Sequence, residues 1–141
     1  MINDELLFLM NIAKVQAVIS RKFNSLSTHG LGFNDFVILY MLNNAAEQRI
    51  RRIDLAEKIG LTASGVTRLL SPLEKIGLVA RETNERDARV SYVVITDSGK
   101  KIFEEAKGTA ELIAKEILAF KKNKSLRPFS EFLEGLGGNI E

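Results

Sequence analysis

The spacing of apolar and polar residues along the chain predicts six helices and one β-hairpin. Apolar side chains recur every three or four residues over most of the chain, which is typical of helices with one buried face. The predicted helices span residues 4–27, 34–45, 51–60, 62–70, 96–120 and 127–136. Residues 77–84 and 89–96 are rich in β-branched side chains and flank the charged, turn-prone segment 82–88, so they predict the hairpin.

The first predicted helix is apolar around more of its circumference than one packing partner requires. Its apolar residues are Leu6, Leu7, Leu9, Met10, Ile12, Ala13, Val15, Ala17, Val18, Ile19 and Phe23. In so short a chain this pattern indicates burial by a second subunit, so we expect a homodimer. Asp4 and Glu5 precede the helix where a secretory signal would be positively charged, and polar residues interrupt it before it could span a bilayer. We therefore expect a soluble helix and no membrane partner, and the absence of cysteine favours a reducing cytoplasm.

Residues 55–70 fit two helices joined by a tight turn, the helix-turn-helix unit. Gly60 stands where the turn needs a positive φ, and Ala56 is small where the two helices would approach each other. The apolar positions that would hold the helices together are Leu55, Ile59, Leu61, Val66 and Leu69.

The same register turns small polar residues and one arginine outward on the second helix: Thr62, Ala63, Ser64, Thr67 and Arg68. A recognition helix reads base edges with residues near its N-terminus. Small side chains let its backbone approach DNA closely, and an arginine can contact guanine through two hydrogen bonds. We interpret these five residues as DNA contacts. Helix capping by Thr62 or Ser64 and a surface ion pair of Arg68 are the structural alternatives.

Pro72 leaves two possibilities for the end of this helix. Ser71, Pro72 and Glu74 fit the start of a new helix, which predicts a kink or break at Leu70–Ser71. A continuous, mildly bent helix fits the sequence equally well.

The hairpin tip offers a second set of DNA contacts, because Asn84, Arg86 and Arg89 lie there. An arginine at such a tip can enter a narrow, A·T-rich minor groove. Asp87 carries the wrong charge for DNA, so we expect it to orient Arg89 or another arginine by a charge-assisted hydrogen bond. An ordinary solvated turn is the alternative.

Charge and composition change this picture little. The net charge is only +2, but residues 49–101 hold 11 lysines and arginines against 7 acidic residues, a weak electrostatic signature of DNA binding. One histidine, no cysteine and no phosphate-binding glycine loop argue against an enzyme. We expect no catalytic residues, no cofactor, no metal and no thiol-based redox sensing.

The chain resembles the MarR (multiple antibiotic resistance regulator) family of winged helix-turn-helix transcription factors. The resemblance rests on LAEKIGLTASGVTRLLSPLEKIGLVAR, residues 55–81, and on DARVSYVVIT, residues 87–96. In the second stretch Asp87, Arg89 and Thr96 occupy the fixed positions of the family's D-x-R…T wing pattern.

The resemblance implies a mainly α fold with a small β-hairpin wing. Residues 1–141 would form a single MarR-like domain, with a DNA-binding region at 33–99 and dimerisation helices at 1–32 and 100–141. The homodimer would bind double-stranded DNA at a pseudo-palindromic operator, repress transcription, and release the operator when a small anionic or phenolic effector binds.

The effector site is less well defined by the sequence. His29 and Tyr40 are candidate contacts, although a helix cap or core packing also explains each of them. The alternative function is a winged-helix module that contacts other proteins without specific DNA binding.

Overall fold

Six helices and three short strands make up the computed structural model, which describes residues 1–141. The helices are α1 (Asp4–Lys22), α2 (Phe33–Asn44), α3 (Arg52–Ile59), α4 (Ala63–Lys75), α5 (Asp97–Ile117) and α6 (Arg127–Gly135). The strands are β1 (Arg49–Arg51), β2 (Val79–Thr83) and β3 (Ser91–Ile95). Three 3₁₀ segments accompany them, at Phe23–His29, Ala46–Gln48 and Ala119–Lys121. The predicted fold class, mainly helical with a small β wing, is confirmed.

The sheet has a third strand that the sequence pattern did not predict. β1 pairs antiparallel with β3, Ile50 lying opposite Val93, and the strand order is β1-β3-β2. Three residues are too few to show the alternation that identifies a strand, and helix α3 follows β1 directly. The pairing covers an edge of β3 that a simple hairpin would leave exposed.

The boundaries of the first two helices also differ from the prediction. α1 ends at Lys22, and a 3₁₀ segment that buries Phe23 and Leu26 continues the chain to His29. α2 begins at Phe33 with Gly32 as its N-cap, and the Asp35 carboxylate accepts a hydrogen bond from the Gly32 N–H at 2.9 Å.

One apolar core lies between α2, α4, α5 and the sheet. Ile38, Leu39 and Leu42 of α2 have no exposed surface. α4 contributes Val66, Leu70 and Leu73 to the same core, so its opposite face is left toward solvent. None of the helices is both long enough and apolar enough to cross a bilayer.

The break predicted as one possibility at Leu70–Ser71 is absent, because α4 runs from Ala63 to Lys75, as the alternative of a continuous helix required. Pro72 lacks the N–H that would bond the carbonyl of Arg68. Both residues lie on the exposed face, where water can bond that carbonyl. Burial of the opposite face holds the helix together across the proline.

A tight junction joins the sheet to α5. The Thr96 hydroxyl caps α5 by accepting a hydrogen bond from the Gly99 N–H at 3.0 Å, and it donates to the Gly77 carbonyl at 2.6 Å. A Cβ added at Gly99 would lie 2.1 Å from the Leu78 carbonyl oxygen. The first turn of α5 therefore packs directly on the backbone that leads into β2.

Gly99→Ala should lower the free energy of unfolding by about 1–3 kcal/mol or more, because the new methyl group collides with backbone. Gly108→Ala in the same helix is the matched control, since no atom lies within 4 Å of its added Cβ. That change should instead stabilise the protein by about 0.5–1 kcal/mol. Chemical unfolding at one fixed protein concentration measures both, and equal effects would contradict the close approach at Gly99.

Candidate nucleic-acid interface

The α3–α4 pair has the geometry of a helix-turn-helix. α3 ends in a Schellman motif, in which Gly60 has φ +76° and the Leu61 N–H bonds the Ala56 carbonyl at 2.9 Å. Ala56 is buried where the helices meet, as expected. Leu61 was predicted to pack between the helices, but this residue, which follows the Gly60 turn, is 39% exposed.

The N-terminus of α4 is capped as its sequence suggests. The Thr62 hydroxyl accepts a hydrogen bond from the Gly65 N–H at 3.1 Å and lies 3.3 Å from the Ser64 hydroxyl. The residues assigned to DNA contact, Thr62, Ala63, Ser64, Thr67 and Arg68, are all exposed on one end of the helix. Arg68 forms no salt bridge, so the structural alternative proposed for it is absent. The DNA contacts themselves stay a prediction.

Thr67 is held by an arginine that the sequence analysis missed. Arg52, the first residue of α3, donates to the Thr67 hydroxyl at 3.2 Å and to the Glu74 carboxylate at 3.3 Å. Thr67 in turn donates to the Ala63 carbonyl at 3.0 Å. Its hydroxyl is therefore engaged within the protein through one accepted and one donated hydrogen bond. Nothing in the local sequence signals this link, because Thr67 and Glu74 lie 15 and 22 residues from Arg52.

The wing tip is shaped by short-range hydrogen bonds. The Asn84 carboxamide oxygen accepts from the Arg86 N–H at 2.8 Å, and the Asn84 N–H donates to the Val90 carbonyl at 3.1 Å. Asn84 therefore has a turn-forming role that needs no DNA. Arg86 is exposed and forms no salt bridge.

Asp87 contacts Arg89 as the sequence suggested. Its carboxylate accepts hydrogen bonds from the Arg89 Nε at 3.1 Å, the Arg89 Nη2 at 3.3 Å and the Arg89 backbone N–H at 3.0 Å. The Arg89 side chain and then its backbone N–H hold the pKa of Asp87 below the usual range of an aspartate. The Arg89 side chain is 91% exposed, so its charge remains available to a partner at the wing.

A second arginine that no sequence pattern indicated, Arg49, connects β1 to both strands of the hairpin. Arg49 of β1 forms salt bridges with Glu82 of β2 at 2.5 Å and with Glu47 at 3.1 Å. Its guanidinium carbon also lies 4.4 Å from the ring centroid of Tyr92 on β3, a cation–π contact. The hydrogen bond to Glu82 is the main reason that the pKa of Arg49 is raised above its ordinary value. Arg49 thereby links all three strands.

The two candidate effector residues lie in different settings. The His29 Nε2 is 3.2 Å from the Thr109 hydroxyl, where it joins the 3₁₀ segment to α5. Tyr40 lines a cavity of about 490 Å³ and donates a hydrogen bond to Glu141 at 2.5 Å. His29 does not line that cavity, so the structure does not bring the two residues together.

Comparison with known proteins agrees with this geometry. A family model described as the MarR family matches residues 33–91. The chain is 30% identical over 138 residues to YdgJ, an HTH-type transcriptional regulator of Bacillus subtilis, and the match covers 98% of the chain and 82% of YdgJ. Three other HTH-type regulators of this bacterium match over shorter stretches, which span 40%, 54% and 60% of their lengths.

Two solved structures share the fold. The transcriptional regulator BldR of Sulfolobus solfataricus is 32% identical, with a TM-score of 0.76 and coverage of 95% of this chain and 93% of BldR. A mutant MarR from E. coli, complexed with operator DNA, is 23% identical, with a TM-score of 0.80 and coverage of 94% of this chain and 96% of the MarR chain. The chain belongs to the MarR family of winged helix-turn-helix transcriptional regulators, which are not enzymes.

Proposed function

We propose that this protein is a sequence-specific transcriptional repressor that binds a pseudo-palindromic operator as a homodimer. The observation that carries the proposal is the exposed end of α4. There the small residues Ala63 and Ser64 lie beside the unpaired Arg68 on a helix whose other face is buried. The E. coli MarR mutant complexed with operator DNA has the same fold and supports this assignment.

Each element of the proposed interface has a distinct task. The small residues let the N-terminal turn of α4 approach a major groove, and Arg68 contacts a guanine edge. Arg86 and Arg89 at the wing enter the adjacent minor groove. Thr62, Thr67 and Asn84 are already hydrogen-bonded within the protein, so they shape the interface and contact DNA with their remaining surface.

The homodimer is supported by two helices in which no residue is fully buried within one chain. Neither α1 nor α6 has a buried residue, although both are rich in large apolar side chains. The residues of these helices that are exposed by about half or more include Leu6, Leu7, Phe8, Leu9, Met10, Val15, Phe129, Phe132 and Leu133. Phe8 and Phe132 meet edge to face with ring centroids 5.4 Å apart, which joins the two helices into one surface. Apolar surfaces of this extent mark interfaces, and a two-fold dimer buries the same surface on both subunits.

This arrangement supports the division inferred from the resemblance. Residues 33–99 carry the helix-turn-helix, the wing and the first three residues of α5. Residues 1–32 and 100–141 carry the two apolar helices and the rest of α5. We also propose that a small anionic or phenolic effector releases the operator. The cavity beside Tyr40 supports this step, because its volume of about 490 Å³ suits a small ligand. The hydrogen bond of His29 to Thr109 favours a structural role for that histidine.

Binding to random duplex DNA over a salt series separates DNA binding from the alternative, a module that contacts only proteins. Phosphate contacts release counterions, so the logarithm of the association constant should fall linearly with the logarithm of salt, with a slope of about −0.9 per contacted phosphate. Fluorescence anisotropy should give a slope of several units. A weak response that is independent of salt would favour the protein-contact module.

Arg68→Ala and Arg86→Ala should weaken binding in different ways on an operator selected from a random duplex library. Loss of Arg68 should cost about 1–3 kcal/mol and relax the base preference at one position. Loss of Arg86 should weaken binding mainly where the flanks are A·T-rich. Lys107→Ala, at an exposed position of α5, is the control and should leave binding unchanged. Equal losses on operator and random DNA would remove the base-reading role of Arg68.

The protein should sediment as a dimer at micromolar concentration, and operators should contain half-sites with centres about 34–36 Å apart or a multiple of that distance. Phe132→Glu on α6 should shift the equilibrium toward monomer, because it places a charge in the proposed interface. Ile76→Glu is the matched control, because Ile76 lies outside α1 and α6 and is exposed to a similar extent. Its exposure is 60%, against 57% for Phe132. A monomeric parent protein would contradict the homodimer.

A further inference from the structure

The chain reverses direction directly after α6. Gly137 has φ +91°, its N–H bonds the Glu134 carbonyl at 3.0 Å, and the Gly138 N–H bonds the Leu133 carbonyl at 2.7 Å. This is a Schellman motif, and it depends on a residue that tolerates a positive φ. A Cβ at Gly138 would lie 3.0 Å from the Leu133 carbonyl oxygen, so the second glycine permits an equally tight turn.

A second local turn brings the following residues onto α2. The Asn139 side-chain oxygen accepts a hydrogen bond from the Glu141 N–H at 3.0 Å. Ile140 and Glu141 then line the cavity beside Tyr40, and the Tyr40 hydroxyl donates to the Glu141 carboxylate at 2.5 Å. Residues 137–141, which we call the hook, thus connect the end of α6 to α2.

The cavity has the chemistry of a carboxylate site. The polar residues that line it on α2 and α3 are Tyr40, Asn44 and Lys58, whose side chains can all donate hydrogen bonds. Met41 and Ile50 supply apolar surface next to them. Lys58 forms no salt bridge, and the one carboxylate that lines the cavity belongs to Glu141. Such a lining suits a ligand in which a negatively charged group is attached to an apolar part.

We propose that this cavity is a binding site for small amphipathic carboxylates that the protein closes with its own Glu141. The hook acts as an internal ligand, with the carboxylate on Tyr40 and Ile140 on the apolar side. An external carboxylate that binds the Tyr40 hydroxyl must displace the Glu141 carboxylate from it, so its binding releases this contact between the hook and α2. The inference refines the effector step of the proposed function and rests on it for its regulatory meaning, although the site itself requires no DNA.

The titration of Tyr40 agrees with this contact. The hydrogen bond to Glu141, burial, and the negative charge of Glu141, in that order, raise the pKa of Tyr40 above its ordinary value. Because the folded-state pKa is raised, the contact stabilises the fold below the pKa of an ordinary tyrosine. That stability is lost as the pH rises through the raised value.

The hook can be tested in the full chain by ultraviolet titration of its tyrosines. The chain has two tyrosines and no tryptophan, so Tyr92→Phe leaves Tyr40 as the only phenol. In that background Glu141→Ala should lower the pKa of Tyr40. Glu134→Ala is the matched control. Glu134 lines a neighbouring cavity together with Tyr40, so its loss removes the same charge, but the Tyr40 hydroxyl bonds Glu141 and not Glu134. Equal shifts in both variants, or no shift in either, would overturn the internal-ligand proposal.

Competition for the site is measured with benzoate as the probe, by its effect on thermal unfolding. Glu141→Ala should respond at benzoate concentrations at least about tenfold lower than the parent, since no internal carboxylate has to leave. Adding Tyr40→Phe to that variant should abolish the gain. A parent and a Glu141→Ala variant with the same response would overturn the competition. Failure of the parent to bind DNA would instead reject the proposed repressor and leave the carboxylate site standing.

Discussion

The burial of one face of α4 is the constraint on which the candidate interface depends. Val66, Leu70 and Leu73 lie in the core and fix the rotation of the helix about its axis, so the orientation of Ala63, Ser64 and Arg68 follows. The same burial explains why Pro72 does not interrupt the helix. Losing one backbone hydrogen bond on the solvent-exposed face costs less free energy than exposing the leucines of the buried face would.

Polar contacts then fix the relative positions of helices and strands that burial alone does not determine. Arg52 ties α3 to Thr67 and Glu74 on α4, and Arg49 ties β1 to both strands of the wing. Each contact lies near the surface, so its contribution to stability is small and falls with salt. Their effect is mainly geometric, because they hold the recognition helix and the wing at defined positions relative to each other.

The regions outside the core follow a different principle. α1 and α6 carry apolar side chains that are left exposed in one chain, and the proposed dimer would bury them. The hook is the exception, because two glycines, Asn139 and the Tyr40–Glu141 hydrogen bond bring the end of α6 back to α2. In the proposed dimer this contact would connect α6, at the subunit interface, to α2 in the DNA-binding region.

The sequence by itself determined the helices, the helix-turn-helix and the hairpin, because hydrophobic periodicity and the Gly60 turn are local signals. The same signals determined the outward direction of Thr62, Ala63, Ser64, Thr67 and Arg68. Only the tertiary structure decided the course of α4 through Pro72, the pairing of β1, and the partners of Arg49, Arg52 and Tyr40. Pairing and hydrogen bonding across 15 to 101 residues depend on how the core brings distant segments together. No local pattern encodes that arrangement. The sequence therefore predicted which residues form the candidate interface, but it did not predict the hydrogen bonds and ion pairs among them.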